Sequence, residues 1–181
     1  MKNLILFGDS LFGLFDKELI DILEEKLPGY RVYNCAARGQ NSNDCSKQAN
    51  YISQLNPDIL AISLGLNDSA PWKKVPLVQF KQNIKNILSY FPKSKIIFLL
   101  PPPIDETIDS RPHKRTNNLI DKYSEATREI CFKERAMIIN SPVLFKPLLE
   151  GKVDYHVEDG THLNEVGYML VIEKLVELAK E

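Results

Sequence analysis

The stretch that decides the fold is residues 4–11, Leu4-Ile5-Leu6-Phe7-Gly8-Asp9-Ser10-Leu11. Four large apolar residues in succession are typical of a parallel strand that is covered on both faces of its sheet. Gly8 lets the backbone turn sharply where the strand ends. Because ligands bind at the carboxyl ends of the strands in an open α/β sheet, this stretch predicts a buried strand that places Ser10 at a binding edge.

Three interpretations of the turn after this strand compete. Gly8 and Gly13 have the spacing of a phosphate-binding loop, but Leu14-Phe15 stands where that loop requires Lys-Ser/Thr, which excludes it. The nucleophile elbow Gly-x-Ser-x-Gly is broken by Phe12. The third interpretation is a turn that presents Ser10 for catalysis, which depends on other segments of the chain, and its alternative is an ordinary loop in which Asp9 makes an Asx turn.

Composition limits the classes to which the protein can belong. With 181 residues, we expect a single domain over residues 1–181. The chain has 23 Lys and Arg against 24 Asp and Glu, a net charge of −1, which argues against nucleic acid or an anionic membrane as a partner. Cys35, Cys45 and Cys131 lack C-x-x-C spacing, so we expect reduced thiols, no zinc site and a cytoplasmic protein. No apolar run approaches membrane-spanning length, and the sequence leaves open whether the chain forms a homo-oligomer.

The rest of the chain alternates strand and helix patterns. Apolar or β-branched runs predict four further strands, at 30–35, 59–64, 95–100 and 136–140. Apolar residues at helical spacing predict a helix after each of the first four strands, a short helix at 142–149 and a last helix from about Asn164. In that last helix we expect Val166, Leu170, Leu175 and Leu178 to face the core. We therefore predict an α/β fold in three layers, a flavodoxin-like doubly wound sheet of five mostly parallel strands.

A second candidate for chemistry precedes the last helix. Asp159 lies three residues before His162, so its carboxylate can accept a hydrogen bond from Nδ1 of the imidazole and leave Nε2 free as a base. The alternative is that Asp159 or Thr161 caps the helix and that His162 is a surface residue. His113 and His156 have no carboxylate three residues before them, and we expect both to be solvated.

Four loops are predicted to meet at one edge of the sheet. Ser10, Gly39, Asn67 and the 159–162 turn each follow the carboxyl end of a different parallel strand. Between them they supply a hydroxyl, a glycine amide, a side-chain amide and an oriented imidazole. These groups are the ones that acyl transfer requires.

The same residues carry a resemblance to a known family. Four segments stand in family order over residues 8–162: Gly8-Asp9-Ser10, Gly39, Gly65-Leu66-Asn67-Asp68 and Asp159-Gly160-Thr161-His162. Together they resemble the four blocks of the GDSL, or SGNH, hydrolases, a family of serine esterases and lipases. The resemblance implies the SGNH-hydrolase fold over the single domain.

The resemblance also implies a role for each residue. Ser10 would be the nucleophile, His162 its general base and then acid, and Asp159 the group that orients His162. The oxyanion hole would be formed by the N–H groups of Ser10 and Gly39 and by the side-chain amide of Asn67. We expect His162 Nε2 within roughly 2.6–3.2 Å of Ser10 Oγ. This chemistry needs no cofactor and no metal.

The function predicted from the sequence is therefore hydrolysis of a small-molecule carboxylic ester through an acyl-serine intermediate. We expect the site to be bordered by Leu11, Phe12, Trp72 and the 101–112 loop, which would suit a short acyl ester or an acetylated sugar. For Trp72 the alternative is that it is a packing anchor. The alternative is a non-catalytic flavodoxin-like module that binds a nucleotide or flavin at the same edge. That module explains the fold but not the Asp-x-x-His turn. A non-catalytic member of the SGNH fold is a further alternative.

Overall fold

One parallel sheet forms the centre of the protein, which we describe from a computed structural model that covers residues 1–108 and 114–181. Its strands are β1 (Lys2–Gly8), β2 (Tyr30–Asn34), β3 (Ile59–Ser63), β4 (Lys95–Leu99) and β5 (Met137–Ile139). They lie in the order β2-β1-β3-β4-β5, and every neighbouring pair is parallel. This strand order is the flavodoxin-like one, so the predicted doubly wound sheet is confirmed.

Helices connect the strands and cover the sheet. They are α1 (Ser10–Gly13), α2 (Lys17–Lys26), α3 (Ser42–Ser53), α4 (Leu77–Ser89), α5 (Asn117–Glu134), α6 (Ser141–Leu144), α7 (Lys146–Gly151) and α8 (Glu165–Lys180). The short helix predicted at 142–149 is two separate short helices. The single turn α1 was not predicted, because four residues are too few to show a helical period.

The side chains of β1 divide the core into two clusters. Leu4 and Leu6 pack in a cluster with residues of α2 and α8. Ile5 and Phe7 pack on the other face, with residues of α3, α4 and α5. Successive side chains of a strand point to opposite faces, so an unbroken apolar run is what a strand between two helical layers requires.

Gly8 lies at the end of β1 where this strand pairs with β3, and the strand order of the sheet reverses between these two strands. Gly8 is paired with Ser63 and has φ +124°, a conformation that other residues rarely adopt. A Cβ atom at this position would lie 2.0 Å from the Ser63 carbonyl oxygen. The next N–H group, that of Asp9, donates to the same oxygen at 2.9 Å. The sheet therefore delivers Ser10 at its topological switch point, where ligands bind in such folds.

Helix α8 differs from its predicted packing at one position. Leu175 and Leu178 are buried and Leu170 is half-buried, but Val166 is exposed. The buried face of α8 runs instead through Gly167, Tyr168, Val171, Ile172 and Leu175. Val166 lies one residue off this face, which corresponds to a rotation of about 100° around the helix axis.

We predict that Gly8→Ala strongly destabilises the protein, because the new methyl group must displace the Ser63 carbonyl and the residue must keep a positive φ. The expected loss in the free energy of unfolding is about 2–5 kcal/mol. Urea unfolding followed by circular dichroism measures it.

Gly29→Ala is the matched control. Gly29 also has a positive φ, +93°, but a Cβ atom there would have no atom within 4 Å. Its expected cost is the backbone strain alone, about 1–2 kcal/mol. Equal losses in the free energy of unfolding would show that the close contact between Gly8 and Ser63 adds nothing to the cost of the backbone strain.

Candidate active site

Ser10 is the first residue of α1, and Asp9 separates it from β1, so the helix provides no acceptor for the Ser10 N–H group. Asp9 caps this turn: its Oδ1 accepts a hydrogen bond from the N–H group of Leu11 at 3.0 Å. Asp9 is fully buried, and burial raises the pKa of its carboxyl to about 7 although the bond from Leu11 favours the charged form. Asp9 therefore stabilises the Ser10 turn from the interior of the protein.

The 159–162 turn presents His162 with one ring nitrogen engaged. Asp159 Oδ1 accepts the backbone N–H groups of Thr161 and His162, each at 2.9 Å, and its Oδ2 lies 2.5 Å from His162 Nδ1. Partial burial favours the neutral acid, but these hydrogen bonds outweigh it and hold the pKa of Asp159 below its ordinary value. The carboxylate thus faces Nδ1 and leaves Nε2 available.

The structure brings this turn to Ser10, which is 152 positions away in the sequence. His162 Nε2 lies 2.8 Å from Ser10 Oγ, a distance typical of a nucleophile and its base. The residue that caps α8 is Asn164, whose Oδ1 accepts the N–H group of Gly167 at 3.1 Å. The interpretation of Asp159 or Thr161 as the cap of the last helix is therefore wrong.

Gly39 lies in a tight turn after β2. The N–H group of Gln40 donates to Ala37 O at 3.3 Å, and Gly39 has φ +80°, as the third residue of a type II turn requires. The N–H group of Ala37 donates to Gly8 O at 3.0 Å, which fastens the turn to the end of β1. Gly39 therefore lies beside the Ser10 turn and lines the same pocket.

The side chain of Asn67 reaches across to this turn from the loop after β3. Its Nδ2 donates to Gln40 O at 2.8 Å, and its Oδ1 lies 3.5 Å from an Nη atom of Arg115. Both contacts fix the orientation of the amide group. A side-chain amide has two N–H groups, so one remains for a ligand in the pocket.

Asp68 joins two of these loops from inside the protein. Its Oδ1 accepts the N–H group of Ser42 at 2.9 Å, and its Oδ2 accepts that of Gly65 at 3.1 Å. Burial raises the pKa of Asp68, and the two hydrogen bonds oppose that rise. Asp68 thus braces the loops that carry Gly39 and Asn67.

A pocket of about 450 Å³ opens over these groups. Its lining residues are Ser10, Arg38, Gly39, Leu66, Asn67, Trp72, Lys73, Ile108, Arg115, Asp159, Thr161 and His162. Trp72 borders it as expected, and so does Ile108 of the 101–112 loop, of which positions 109–112 lie outside the described residues. Leu11 and Phe12 do not line it, because both side chains are fully buried in the cluster beneath α2 and α8.

Sequence reasoning missed the cations of the pocket, Arg38, Lys73 and Arg115. The available signals were weak: Arg38 precedes Gly39, and Lys73 belongs to a Lys-Lys pair six residues after Asn67.

The other two histidines have different outcomes. His156 was expected to be solvated, which is wrong: its ring is half-buried against Tyr155, and its Nε2 lies 2.8 Å from Pro103 O. Burial lowers the pKa of His156. His113 lies outside the described residues. Over residues 1–108 and 114–181, no group of three or more His, Cys, Asp and Glu side chains is arranged to hold a metal ion.

Curated proteins and solved structures resemble the chain over nearly its whole length. A protein of Arabidopsis thaliana named GDSL esterase/lipase At5g45920 is 28% identical over 212 residues, covering 99% of this chain and 86% of its own. A human protein named isoamyl acetate-hydrolyzing esterase 1 homolog is 25% identical, covering 99% and 82%. The fold matches the crystal structure of the lipase/acylhydrolase from Enterococcus faecalis with a TM-score of 0.87 at 22% identity, covering 99% of this chain and 96% of that one.

The model of one family matches residues 6–170, a range that contains the Ser10 turn, both loops braced by Asp68 and the 159–162 turn. A match over this range takes in every segment on which the sequence resemblance depended. The chain belongs to the GDSL-like lipase/acylhydrolase family.

Proposed function

We propose that the protein hydrolyses carboxylic esters through an acyl-enzyme on Ser10. The observation that carries the proposal is the chain of contacts from Ser10 Oγ to His162 Nε2, at 2.8 Å, and from His162 Nδ1 to Asp159 Oδ2. A serine hydroxyl is a weak nucleophile near neutral pH, and an adjacent oriented base activates it. The membership of a family of lipases and acylhydrolases supports the same reaction class.

The residues divide the reaction between them. Ser10 Oγ attacks the ester carbonyl carbon while His162 Nε2 takes the hydroxyl proton, and Asp159 stabilises the resulting imidazolium. His162 then returns that proton to the departing alkoxide, which leaves as the alcohol. A water molecule repeats the sequence on the acyl-serine, giving up a proton to His162 and releasing the carboxylic acid.

The negative charge of each tetrahedral intermediate lies on the former carbonyl oxygen. The proposed donors to that oxygen are the N–H groups of Ser10 and Gly39 and the side-chain amide of Asn67. Gly39 is held by its turn and Asn67 by its bond to Gln40 O, so neither has to reorganise when the charge forms. Such fixed donors are commonly the largest single contribution to acyl transfer.

The size of the pocket supports a small ester as the substrate. A volume of about 450 Å³ falls in the range of small-molecule sites, and Leu66, Trp72 and Ile108 supply an apolar wall for a short acyl chain or the apolar face of an acetylated sugar. The human relative whose name includes hydrolysis of isoamyl acetate, a small ester, fits this class.

The setting of the enzyme is part of the proposal. Cys35, Cys45 and Cys131 are free thiols, which supports a reducing compartment such as the cytoplasm. We further propose that residues 1–181 form one SGNH-hydrolase domain. Across the described parts of the chain, no helix is long and apolar enough to cross a membrane.

We predict that Ser10→Ala abolishes ester hydrolysis while leaving the fold intact, because Ser10 Oγ bonds to the His162 side chain and lies at the surface of the core. The expected fall in kcat is at least about 10³-fold. Hydrolysis of 4-nitrophenyl acetate and labelling by a fluorophosphonate probe measure the loss.

The control for this experiment is Ser124→Ala. Ser124 is equally buried, and its Oγ has no hydrogen-bond partner within the described ranges, so the variant should keep both hydrolysis and labelling. Hydrolysis by Ser10→Ala within tenfold of the wild-type rate would exclude Ser10 as the nucleophile. Absence of labelling in the wild-type protein would favour the module that binds a nucleotide or flavin.

We predict that Asp159→Asn lowers kcat by roughly 10²–10⁴-fold with the turn preserved. The Asn oxygen can still accept the N–H groups of Thr161 and His162, but its amide nitrogen would donate to Nδ1 and hold His162 in the wrong tautomer. His162→Ala should lose more activity. Combining the two should cost little beyond His162→Ala alone, because the two residues act as a unit.

Asp154→Asn is the matched control, since Asp154 makes a comparable turn by accepting the N–H group of His156 at 2.9 Å. It should leave the steady-state rate unchanged. Additive losses in the Asp159 and His162 double variant would argue that the two side chains do not act together.

We predict that Asn67→Ala lowers kcat by about 10²–10³-fold and changes KM little, because the lost donor serves charge that develops only in the transition state. Asn67 also donates to Gln40 O, so urea unfolding of the variant should accompany the kinetics. A rise in KM at unchanged kcat would make Asn67 an ordinary substrate contact.

A further inference from the structure

The pocket over Ser10 is lined by positive charge from three separate loops. Arg38 follows β2, Lys73 follows β3, and Arg115 precedes α5. Among the described residues, the carboxylate in the lining is that of Asp159, which is engaged with His162. The chain as a whole has a net charge of −1, so this concentration of cations is not the consequence of a basic protein.

The ammonium group of Lys73 contacts the loop of Gly39, one of the proposed oxyanion donors. Lys73 Nζ donates to Gly39 O at 2.7 Å, although the residue is exposed and lies 34 positions away. An ammonium group has three N–H donors, so two remain for a ligand after this bond. The bond to Gly39 fixes where the charge lies, which removes part of the entropy cost of binding an anion there.

Arg38 lines the same pocket as Lys73. It occupies the second position of the type II turn, next to Gly39, and its side chain is exposed. Over residues 1–108 and 114–181, no carboxylate forms an ion pair with it. Its guanidinium presents a planar set of donors that matches carboxylate and phosphate oxygens.

Arg115 adds positive charge to the wall of the pocket, but its side chain is engaged with other residues of the wall. It is buried, its guanidinium lies 5.3 Å from the ring centre of Trp72, and it contacts Asn67. We therefore assign it to the shape and field of the pocket rather than to direct contact with a ligand.

We propose that the preferred substrates are esters that carry a second, anionic group, a carboxylate or a phosphate, which Arg38 and Lys73 bind while Ser10 attacks the ester. This inference rests on the proposed esterase function and specifies its substrate. A pocket with cations on its walls concentrates anionic ligands and orients them, so the preference should appear in kcat/KM.

The test compares esters that differ in charge but little in shape. On the alcohol side, 4-acetoxybenzoate and 4-acetoxyphenyl phosphate are compared with the neutral 4-acetoxybenzamide. On the acyl side, the 4-nitrophenyl monoester of adipic acid is compared with 4-nitrophenyl hexanoate. The two arms identify which half of the ester carries the charge, and the first arm separates carboxylate from phosphate.

We expect kcat/KM to favour an anionic ester in one arm by roughly fivefold to thirtyfold, the product of two charge pairs at a partly exposed site. The preference should shrink as the salt concentration is raised from about 20 mM to about 500 mM. In the double variant Arg38→Gln, Lys73→Gln, the ratio of anionic to neutral kcat/KM should fall to within about twofold of unity. Lys73→Arg should keep most of it.

The readout is the ratio of anionic to neutral kcat/KM. Any displacement of the Gly39 loop on loss of the bond from Lys73 to Gly39 O would slow anionic and neutral esters alike and leave the ratio unchanged. Lys74→Gln is the matched control: it removes the same charge from the next residue, which does not line the pocket, and it should leave the ratio unchanged. Neutral esters hydrolysed as fast as anionic ones would overturn this inference and leave the esterase function standing. No hydrolysis of any ester, with no labelling of Ser10, would overturn both.

Discussion

The structure depends on one close approach of two backbones, between Gly8 at the end of β1 and Ser63 at the end of β3. The Ser63 carbonyl oxygen occupies the space that a side chain at position 8 would take, and it accepts the N–H group of Asp9 from there. No residue other than glycine fits this contact without displacing a strand. The same contact turns the chain toward Ser10, so the packing of the sheet and the placement of the proposed nucleophile have a single cause.

A buried carboxylate extends this constraint to the neighbouring loops. Asp68 accepts N–H groups from Ser42 at the start of α3 and from Gly65 after β3, which couples the loops of Gly39 and Asn67. Burying a carboxylate is unfavourable unless hydrogen bonds replace water, and the raised pKa of Asp68 reflects that cost. The protein accepts this cost where the two proposed oxyanion donors, Gly39 and Asn67, must keep a fixed spacing although they belong to different loops.

The sequence predicts the sheet well because its signals are local. The apolar run of β1 is enough to indicate a strand buried on both faces, and the parallel alternation of strands and helices then leaves few arrangements. Packing directions are less accessible: Leu11 and Phe12 follow the Ser10 turn and were expected at the site, but the unpredicted turn of α1 directs both into the core. A four-residue helix has no periodicity to read, so its side-chain directions follow from tertiary contacts alone.

The site likewise has one part that the sequence predicts, the proposed catalytic residues, and one part that it does not, the cations of the pocket. The proposed catalytic groups stand in short motifs whose spacing determines their geometry, as Asp159 and His162 do, and the hydrogen bond from the His162 N–H group to Asp159 holds that turn in place. Arg38 and Lys73 line one pocket from separate loops, and the Gly39 carbonyl oxygen accepts a hydrogen bond from Lys73, a residue more than thirty positions further on. Both are long, exposed side chains, so replacing them disturbs little of the core. A fold built in this way can change the charge of its pocket at small cost in stability while the arrangement around Ser10 stays fixed.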